Sequence, residues 1–141
     1  LKHTLAYRPF LIKPNRQELE ELAQKRLFTR EEIVTQGKRL QEMGAKNVLI
    51  SMAAEGAVLL TADGKIFVAE APRGTLQNSV GAGDSMVGGF VAGWLKTGSF
   101  QEALRWGIAA GSATAFCEGL ATGEEIRRLY EDGIRITQEM I

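Results

Sequence analysis

Cysteine is almost missing from this chain of 141 residues, and its scarcity limits the classes of protein that fit. The single cysteine, Cys117, cannot form an intrachain disulfide, and no cluster of cysteines is present that could hold zinc. This composition suits a reducing compartment, so the sequence predicts a cytoplasmic protein.

Net charge and long apolar runs are missing as well. The 17 Lys and Arg residues balance the 17 Asp and Glu residues, so bulk charge would not hold nucleic acid. The longest nearly uninterrupted apolar run, 86–95, is short and rich in glycine, which argues against a membrane span. With 45% hydrophobic residues, the chain has the composition of an ordinary globular protein, and we expect neither nucleic acid nor membrane as a partner.

An initiator methionine is also missing, since the chain begins at Leu1 and reaches the apolar residues 10–12 almost at once. We therefore expect a fragment that starts in mid-domain, or a numbering that omits a preceding half. No internal repeat or linker divides residues 1–141, so they are interpreted as part of one domain.

Strand and helix signals alternate in the first half of the chain. Residues 10–13 predict a short strand that ends at Pro14, and Asn15 is a typical N-cap for the helix that follows. Thr29 opens a second helix with capping-box spacing, and the apolar run 47–51 is typical of a buried parallel strand. A strand, helix, strand crossover is the simplest assembly.

The second half combines a hairpin with long helices. Asp63-Gly64 lies between the strand-like runs 57–61 and 65–69, which predicts a β-hairpin. Ser99 and Thr122 each precede a glutamate by three residues, so both are predicted to open helices with capping boxes. Residues 134–137 alternate and predict an edge strand.

Residues 78–90 contain the pattern with the clearest chemical meaning. Gly81-Ala82-Gly83-Asp84 is followed by small and apolar residues at helical spacing, which predicts a loop that turns into a helix. The unpaired N–H groups and the positive dipole end of such a helix favour an anion, and glycine allows a phosphate to approach the backbone. Asp84 then has two interpretations: a general base toward a hydroxyl that attacks a phosphoryl group, or an acid that only complements the helix dipole.

Three further groups of residues each have a functional and a structural interpretation. Asn15 and Glu18 could support Mg²⁺ through water, or could only cap a helix. Residues 51–56 follow a parallel strand, where open α/β sheets bind ligands, but could be a plain connection. The small residues of the stretch 107–113 could pack on a neighbouring helix or sheet, or form a wall for a flat ligand such as a purine.

Two common nucleotide motifs are excluded. No stretch has the Walker A pattern of a glycine, four residues and Gly-Lys-Ser/Thr. Gly81 and Gly83 match the first two glycines of the dinucleotide-binding fingerprint, but Met86 occupies the third position.

Taken in order, Lys13-Pro14-Asn15 with Glu18, residues 51–56, Gly81-Ala82-Gly83-Asp84 and the small-residue helix resemble the carboxyl-terminal half of the ribokinase-like carbohydrate kinases. This resemblance implies an α/β fold of three layers, in which the chain supplies part of a mainly parallel sheet, flanking helices and a β-hairpin. Residues 78–86 and 111–115 are most similar to the branch of 1-phosphofructokinases and tagatose-6-phosphate kinases.

The resemblance implies an ATP-dependent phosphorylation of a sugar phosphate, first of all fructose 1-phosphate to fructose 1,6-bisphosphate. Asp84 would be the base, and the backbone amides of Gly81, Ala82 and Gly83 would form an anion hole. Tagatose 6-phosphate is the alternative substrate. A nucleotide-binding regulatory module without catalysis is the alternative from another class.

The resemblance also implies ATP and Mg²⁺ as cofactors, with Asn15 and Glu18 acting on the metal through water. Its implied nucleotide site consists of Lys13, Asn15, Ser51, Ala53, Ala54, Glu55, Gly56, Gly83, Ala110, Ser112 and Thr114. Ala53 departs from the family, since many members have glycine there.

Members of the family place the acceptor sugar and a lid on the amino-terminal half. Residues 1–141 would then be the nucleotide-binding and catalytic portion of one domain, without the sugar-binding half, and we expect them to be inactive alone. A homodimer through that other half is the expected assembly.

Overall fold

The computed structural model describes residues 5–52, 55–72, 82–116 and 122–139. For Ala115 and Phe116 it describes the backbone only. The elements in these ranges are β1 Leu11–Ile12, α1 Arg16–Ala23, α2 Arg30–Glu42, β2 Asn47–Ser51, β3 Ala57–Leu60, β4 Ile66–Ala69, α3 Ala82–Thr97, α4 Phe100–Phe116, α5 Gly123–Glu131 and β5 Ile136–Glu139.

The five strands form one sheet in the order β1-β2-β3-β4-β5. Strands β1 and β2 are parallel, with Leu11 opposite Asn47 and Ile12 opposite Val48. Strands β3 and β4 are neighbours joined by residues 61–65, too short a connection for a parallel crossover, so they form the predicted hairpin. The predicted α/β class is confirmed, and the sheet is mixed.

The chain divides into two compact units, which are described separately. The first contains residues Leu1–Met52, Val58–Phe67 and Gln138–Ile141. Its core consists of fully buried aliphatic side chains from α1, α2 and the strands, among them Leu19, Leu40, Val48, Ile50 and Leu60. Helix α2 lies close to two of them, because a Cβ on Gly37 would be only 3.0 Å from Leu60 Cδ1 and 3.1 Å from Ile50 Cδ1.

The second unit contains residues Ala53–Ala57 and Val68–Thr137, and its main feature is the pair of helices α3 and α4. Small residues line their contact: a Cβ on Gly89 would lie 2.7 Å from Trp106 O, and one on Gly93 would lie 3.0 Å from Ala103 Cα. The backbones therefore approach closely. Tight packing of the small-residue stretch 107–113 on a neighbouring helix is confirmed, and a wall for a purine stays a prediction.

The predicted helix starts at Asn15, Thr29 and Thr122 are confirmed, and the capping box predicted at Ser99 is confirmed only in part. Capping boxes open α1 at Asn15, α2 at Thr29 and α5 at Thr122. At Ser99 only half of the box exists: Ser99 Oγ accepts from Glu102 N at 3.2 Å, while Ser99 N donates to Thr97 Oγ1. The Glu102 carboxylate binds Arg105 Nη1 and the Tyr130 hydroxyl instead, because α5 brings a tyrosine within reach.

The two tryptophans differ from the buried core residues that their apolar surroundings predict. Both are half-buried. Trp94 stacks on Phe100 with ring centroids 4.3 Å apart, and Trp106 stacks on Tyr130 at 4.0 Å. Strand β5 begins two residues later than predicted, although Arg135 O already accepts a hydrogen bond from Glu70 N. None of the helices in the described ranges is long and apolar enough to cross a membrane.

Candidate active site

The first turn of α3 carries the residues that the sequence singles out for chemistry. The helix begins at Ala82, so the N–H groups of Ala82, Gly83 and Asp84 belong to the turn that has no intrahelical acceptors. The side chain of Asp84 is exposed in this turn. A carboxylate and backbone donors without intrahelical acceptors thus share one helix end, where the peptide dipoles favour an anion. Gly81, the remaining residue of the predicted anion hole, lies outside the described residues.

Helix α4 contacts one face of this first turn. A Cβ on Gly111 would lie 3.1 Å from Ala82 O and 3.2 Å from Met86 Cβ. A Cβ on Gly107 would lie 2.9 Å from Met86 O. The absence of side chains at these two positions of α4 is therefore what allows the first turn of α3 to sit so close to it.

A hydrogen bond between side chains joins the same two helices. Thr114, which is 1% exposed, donates from Oγ1 to Ser85 Oγ at 2.8 Å. Ser85 follows Asp84 directly, and nothing in the sequence reasoning singled it out. The sequence did contain a signal for the other partner of this bond. Thr114 lies seven residues after Gly107 and three after Gly111, so it shares the helix face of these two glycines.

The three residues expected beside the adenine have different surroundings. Ala110 is 3% exposed and packs on α3, where a Cβ on Gly89 would lie 2.7 Å from Ala110 Cβ. Thr114 is buried as described above, and Ser112 is half-buried. Of the three, Ser112 has the side chain that solvent or a ligand can reach, while Ala110 and Thr114 are buried in contact with α3.

Asn15 and Glu18 bind each other at the start of α1. Asn15 Oδ1 accepts from Glu18 N at 2.7 Å, and Glu18 Oε1 accepts from Asn15 N at 3.1 Å. The structural interpretation of this pair, a helix cap, is thus confirmed. Both side chains are exposed, and Glu18 Oε2 makes no hydrogen bond to the residues that the structure describes. This oxygen fits a water molecule in the shell of a metal ion, so the metal interpretation stays a prediction.

The ends of β1 and β2 bring two predicted nucleotide residues together. Asn15 and Ser51 form an isolated parallel bridge, and Ser51 N donates to Pro14 O at 3.1 Å. Lys13, just before them, is half-buried. This edge is the carboxyl end of two parallel strands, where open α/β sheets bind ligands.

The segment that follows β2 is described in part. Ala53 and Ala54 lie outside the described residues, and Glu55 is exposed. Gly56 has φ +93°, and a Cβ there would lie 2.0 Å from Ala69 O. The backbone of the hairpin alone therefore requires glycine at this position, whatever the segment binds.

Comparison with known proteins identifies the class. Residues 1–127 match the pfkB family carbohydrate kinases. The chain therefore belongs to the pfkB family of carbohydrate kinases. Its ribokinase-like fold is confirmed by a solved structure from Staphylococcus aureus, provisionally described as a phosphofructokinase, with TM-score 0.91, 33% identity and coverage of 98% of this chain and 44% of that chain.

The relatives are more specific in their names. A 1-phosphofructokinase of Bacillus subtilis is 46% identical over 131 residues, which are 93% of this chain and 43% of that protein. A D-tagatose-1-phosphate kinase of Bacillus licheniformis is 44% identical over 117 residues, 82% of this chain and 38% of that protein. Phosphofructokinase-2 of Escherichia coli, solved with substrates and products, has TM-score 0.84 and 29% identity over 93% of this chain and 43% of that chain. The chain thus spans less than half the length of these relatives.

Proposed function

We propose that this chain is the nucleotide-binding and catalytic portion of an ATP-dependent sugar-phosphate kinase, with fructose 1-phosphate as its first candidate substrate and fructose 1,6-bisphosphate as the product. The observation that carries the proposal is the first turn of α3, where the exposed Asp84 stands beside backbone N–H groups without intrahelical acceptors. The similarity to 1-phosphofructokinases supports the choice of substrate.

Asp84 would act as the general base. Its carboxylate accepts the proton of the sugar hydroxyl that attacks the γ-phosphorus of ATP. The N–H groups of Gly81, Ala82 and Gly83 donate hydrogen bonds to the charge that develops on the transferred group. A positioned base contributes about 10²–10⁴-fold to the rate, and one oxyanion donor about 10²–10³-fold. Substitution of Asp84 is therefore the clearest test of the proposed mechanism.

Asn15 and Glu18 would hold Mg²⁺ through water. When bound, this ion neutralises charge on the ATP phosphates. Among the described residues, no group of three or more His, Cys, Asp or Glu side chains could hold a metal ion directly. Because the described residues offer no such cluster, the ion would arrive bound to ATP. Glu18 Oε2 would then contact it through a water molecule.

The remaining nucleotide contacts would come from residues near both predicted loops. We assign them to Lys13, Ser51, Ala53, Ala54, Glu55, Gly56 and Ser112. The buried Ala110 and Thr114 of the same helix would belong to this wall without contacting the nucleotide through their side chains. The half-buried position of Ser112 on α4 supports its place beside the adenine of ATP.

The substitution Asp84→Asn tests the proposal in a full-length protein that carries residues 1–141. The amide keeps the shape of the side chain but cannot accept the proton at neutral pH. We expect kcat to fall by about 10²–10⁴-fold while the dissociation constant for ATP stays within about threefold. ADP release, coupled to NADH oxidation, measures turnover.

Asp132→Asn is the matched control, because Asp132 is an exposed aspartate at the C-cap of α5 and makes the same change of charge. We expect its kcat to equal that of the wild type. Wild-type turnover in Asp84→Asn would refute the assignment. ATP binding without ADP release in the unsubstituted protein would favour a regulatory module instead.

A panel of sugar phosphates would identify the substrate. Fructose 1-phosphate heads it, and D-tagatose 1-phosphate follows because a relative of 44% identity has that kinase's name. The relatives compared above do not favour tagatose 6-phosphate, which completes the panel together with fructose 6-phosphate. Full-length protein is needed, since residues 1–141 alone are expected to lack the sugar site, and a homodimer through the other half stays a prediction.

A further inference from the structure

The bond between Thr114 and Ser85 crosses from the end of α4 to the start of α3. The two residues are 29 positions apart in sequence, and Thr114 is 1% exposed. A buried hydroxyl that loses its partner cannot turn to water instead, so this bond is costly to break. It therefore fixes the position of Ser85 relative to α4.

The glycine contacts lie on both sides of this bond. Ala82 O and Met86 Cβ face Gly111, and Ser85 between them faces Thr114. Positions 82, 85, 86 and 89 form one face of a helix, and α4 covers this face. Gly83 and Asp84 belong to the other side of the same turn, in agreement with the exposure of Asp84.

Rotation of this turn about the helix axis would move the carboxylate of Asp84 and the amide donors together. An α-helix turns by about 100° per residue, so its contacts with a neighbour determine where every other residue on the turn points. The Thr114 to Ser85 hydrogen bond is directional, whereas the glycine contacts only allow close approach. It is thus the contact best suited to set this rotation.

We propose that Thr114 is a positioning residue of the kinase: through its hydrogen bond to Ser85 it fixes the rotation of the first turn of α3, and so the direction of Asp84 and of the anion-binding amides. This inference rests on the proposed function of Asp84. It assigns Thr114 to the transfer step, where the sequence expectation assigned it to nucleotide binding. A displacement of about 1 Å at reacting groups can cost about 10²-fold in rate.

The test uses Thr114→Val, Ser85→Ala and the double variant in a full-length protein that carries residues 1–141. Valine keeps the shape of threonine and removes the hydroxyl. We expect each single variant to lower kcat about tenfold while the KM for ATP stays within about twofold, because geometry for transfer is lost and binding is not. The double variant should lose no more than either single variant, because all three lack the same bond.

Two controls separate positioning from folding. Thr114→Ser retains a hydroxyl and should recover most of the wild-type kcat. At the opposite end of α3, the hydroxyl of Thr97 donates to Gly93 O at 2.7 Å. Thr97→Val removes this hydroxyl and should leave kcat unchanged. Thermal melting shows whether each variant is folded, and Ser85→Ala, at a half-buried site, carries the test if Thr114→Val does not fold.

Three results would overturn the inference: wild-type kcat in both single variants, a raised KM for ATP at full kcat, or a multiplicative loss of about 10²-fold in the double variant. The raised KM would restore the nucleotide-binding role of Thr114. If Asp84→Asn abolishes turnover and neither Thr114→Val nor Ser85→Ala reduces it, only the positioning role fails. If Asp84→Asn is active, the proposed function itself fails.

Discussion

Two neighbouring glycines of α3, Gly88 and Gly89, have opposite surroundings and should respond in opposite ways to substitution by alanine. Among the described residues, no atom outside the surrounding backbone of α3 would lie within 4 Å of a Cβ on Gly88, and this residue is exposed. A Cβ on Gly89 would lie 2.7 Å from both Trp106 O and Ala110 Cβ on α4. The same chemical change at adjacent positions therefore measures how closely the two helices approach.

The expected magnitudes follow from helix propensity and from packing. Alanine in place of glycine inside a helix stabilises it by about 0.5–1 kcal/mol, and at position 88 this gain stands alone. At position 89 the gain is offset by overpacking, which costs about 1–3 kcal/mol. We take the upper part of this range, because one of the atoms in the way is a backbone oxygen that cannot rotate aside. The free energy of unfolding should then differ by about 2–3 kcal/mol between the two variants.

Urea denaturation of the wild type, Gly88→Ala and Gly89→Ala would measure this difference. We expect the midpoint to rise slightly for Gly88→Ala and to fall clearly for Gly89→Ala, with similar slopes for all three. Equal or greater stability of Gly89→Ala would refute the close approach of α3 and α4, and with it the argument that α4 supports the first turn.

Two further predictions concern single side chains. Glu18→Gln should raise the magnesium requirement of the full-length protein more than it weakens sugar binding. Stability should change little, because glutamine can still accept from Asn15 N in the capping box. An unchanged magnesium titration would count against the metal role. Tyr130→Phe should lower the free energy of unfolding by about 1 kcal/mol near pH 8, since it removes the hydrogen bond to Glu102 and keeps the stacked ring.

The tyrosine prediction includes a dependence on pH. The hydrogen bond to the Glu102 carboxylate, followed by partial burial, raises the pKa of the Tyr130 hydroxyl above its ordinary value of 10.0. Because the folded-state pKa is the higher one, the contribution of this bond is complete below pH 10 and is lost as the pH rises from there toward the folded-state pKa. The wild type should therefore lose its advantage over Tyr130→Phe in alkaline solution, and a constant difference up to pH 11, about one unit above the ordinary tyrosine pKa, would contradict this assignment.

Local sequence signals predicted most of the elements. Thr29 and Thr122 each form the expected capping box, and the expected N-cap Asn15 forms one as well, since both partners lie on one helical turn and need no distant residue. The buried strand Asn47–Ser51 has its predicted bounds, and the hairpin forms around Asp63-Gly64. These features depend on residues that are close in the chain, so the chain alone specifies them.

Contacts between distant residues explain the errors. Glu102 has the spacing of a capping box with Ser99, but its carboxylate binds the distant Tyr130 together with Arg105 on the next turn of the same helix. Trp106 lies in an apolar stretch, yet its ring stacks on Tyr130 of α5 and stays half-buried. No local pattern can show which helix will face such a side chain.

The sequence by itself determined the family and the α/β class from several short motifs in a fixed order. It also predicted Asp84 in the first turn of a helix after two glycines, because that pattern depends on residues adjacent in the chain. Only the tertiary structure revealed that Gly107 and Gly111 of α4 face Ala82 and Met86 at the start of α3, and that Thr114 binds Ser85 there. The physical reason is that the rotation of a helix is set by its packing partner. The spacing of glycines on a helix indicates that another element packs closely against it, but it does not show which element that is.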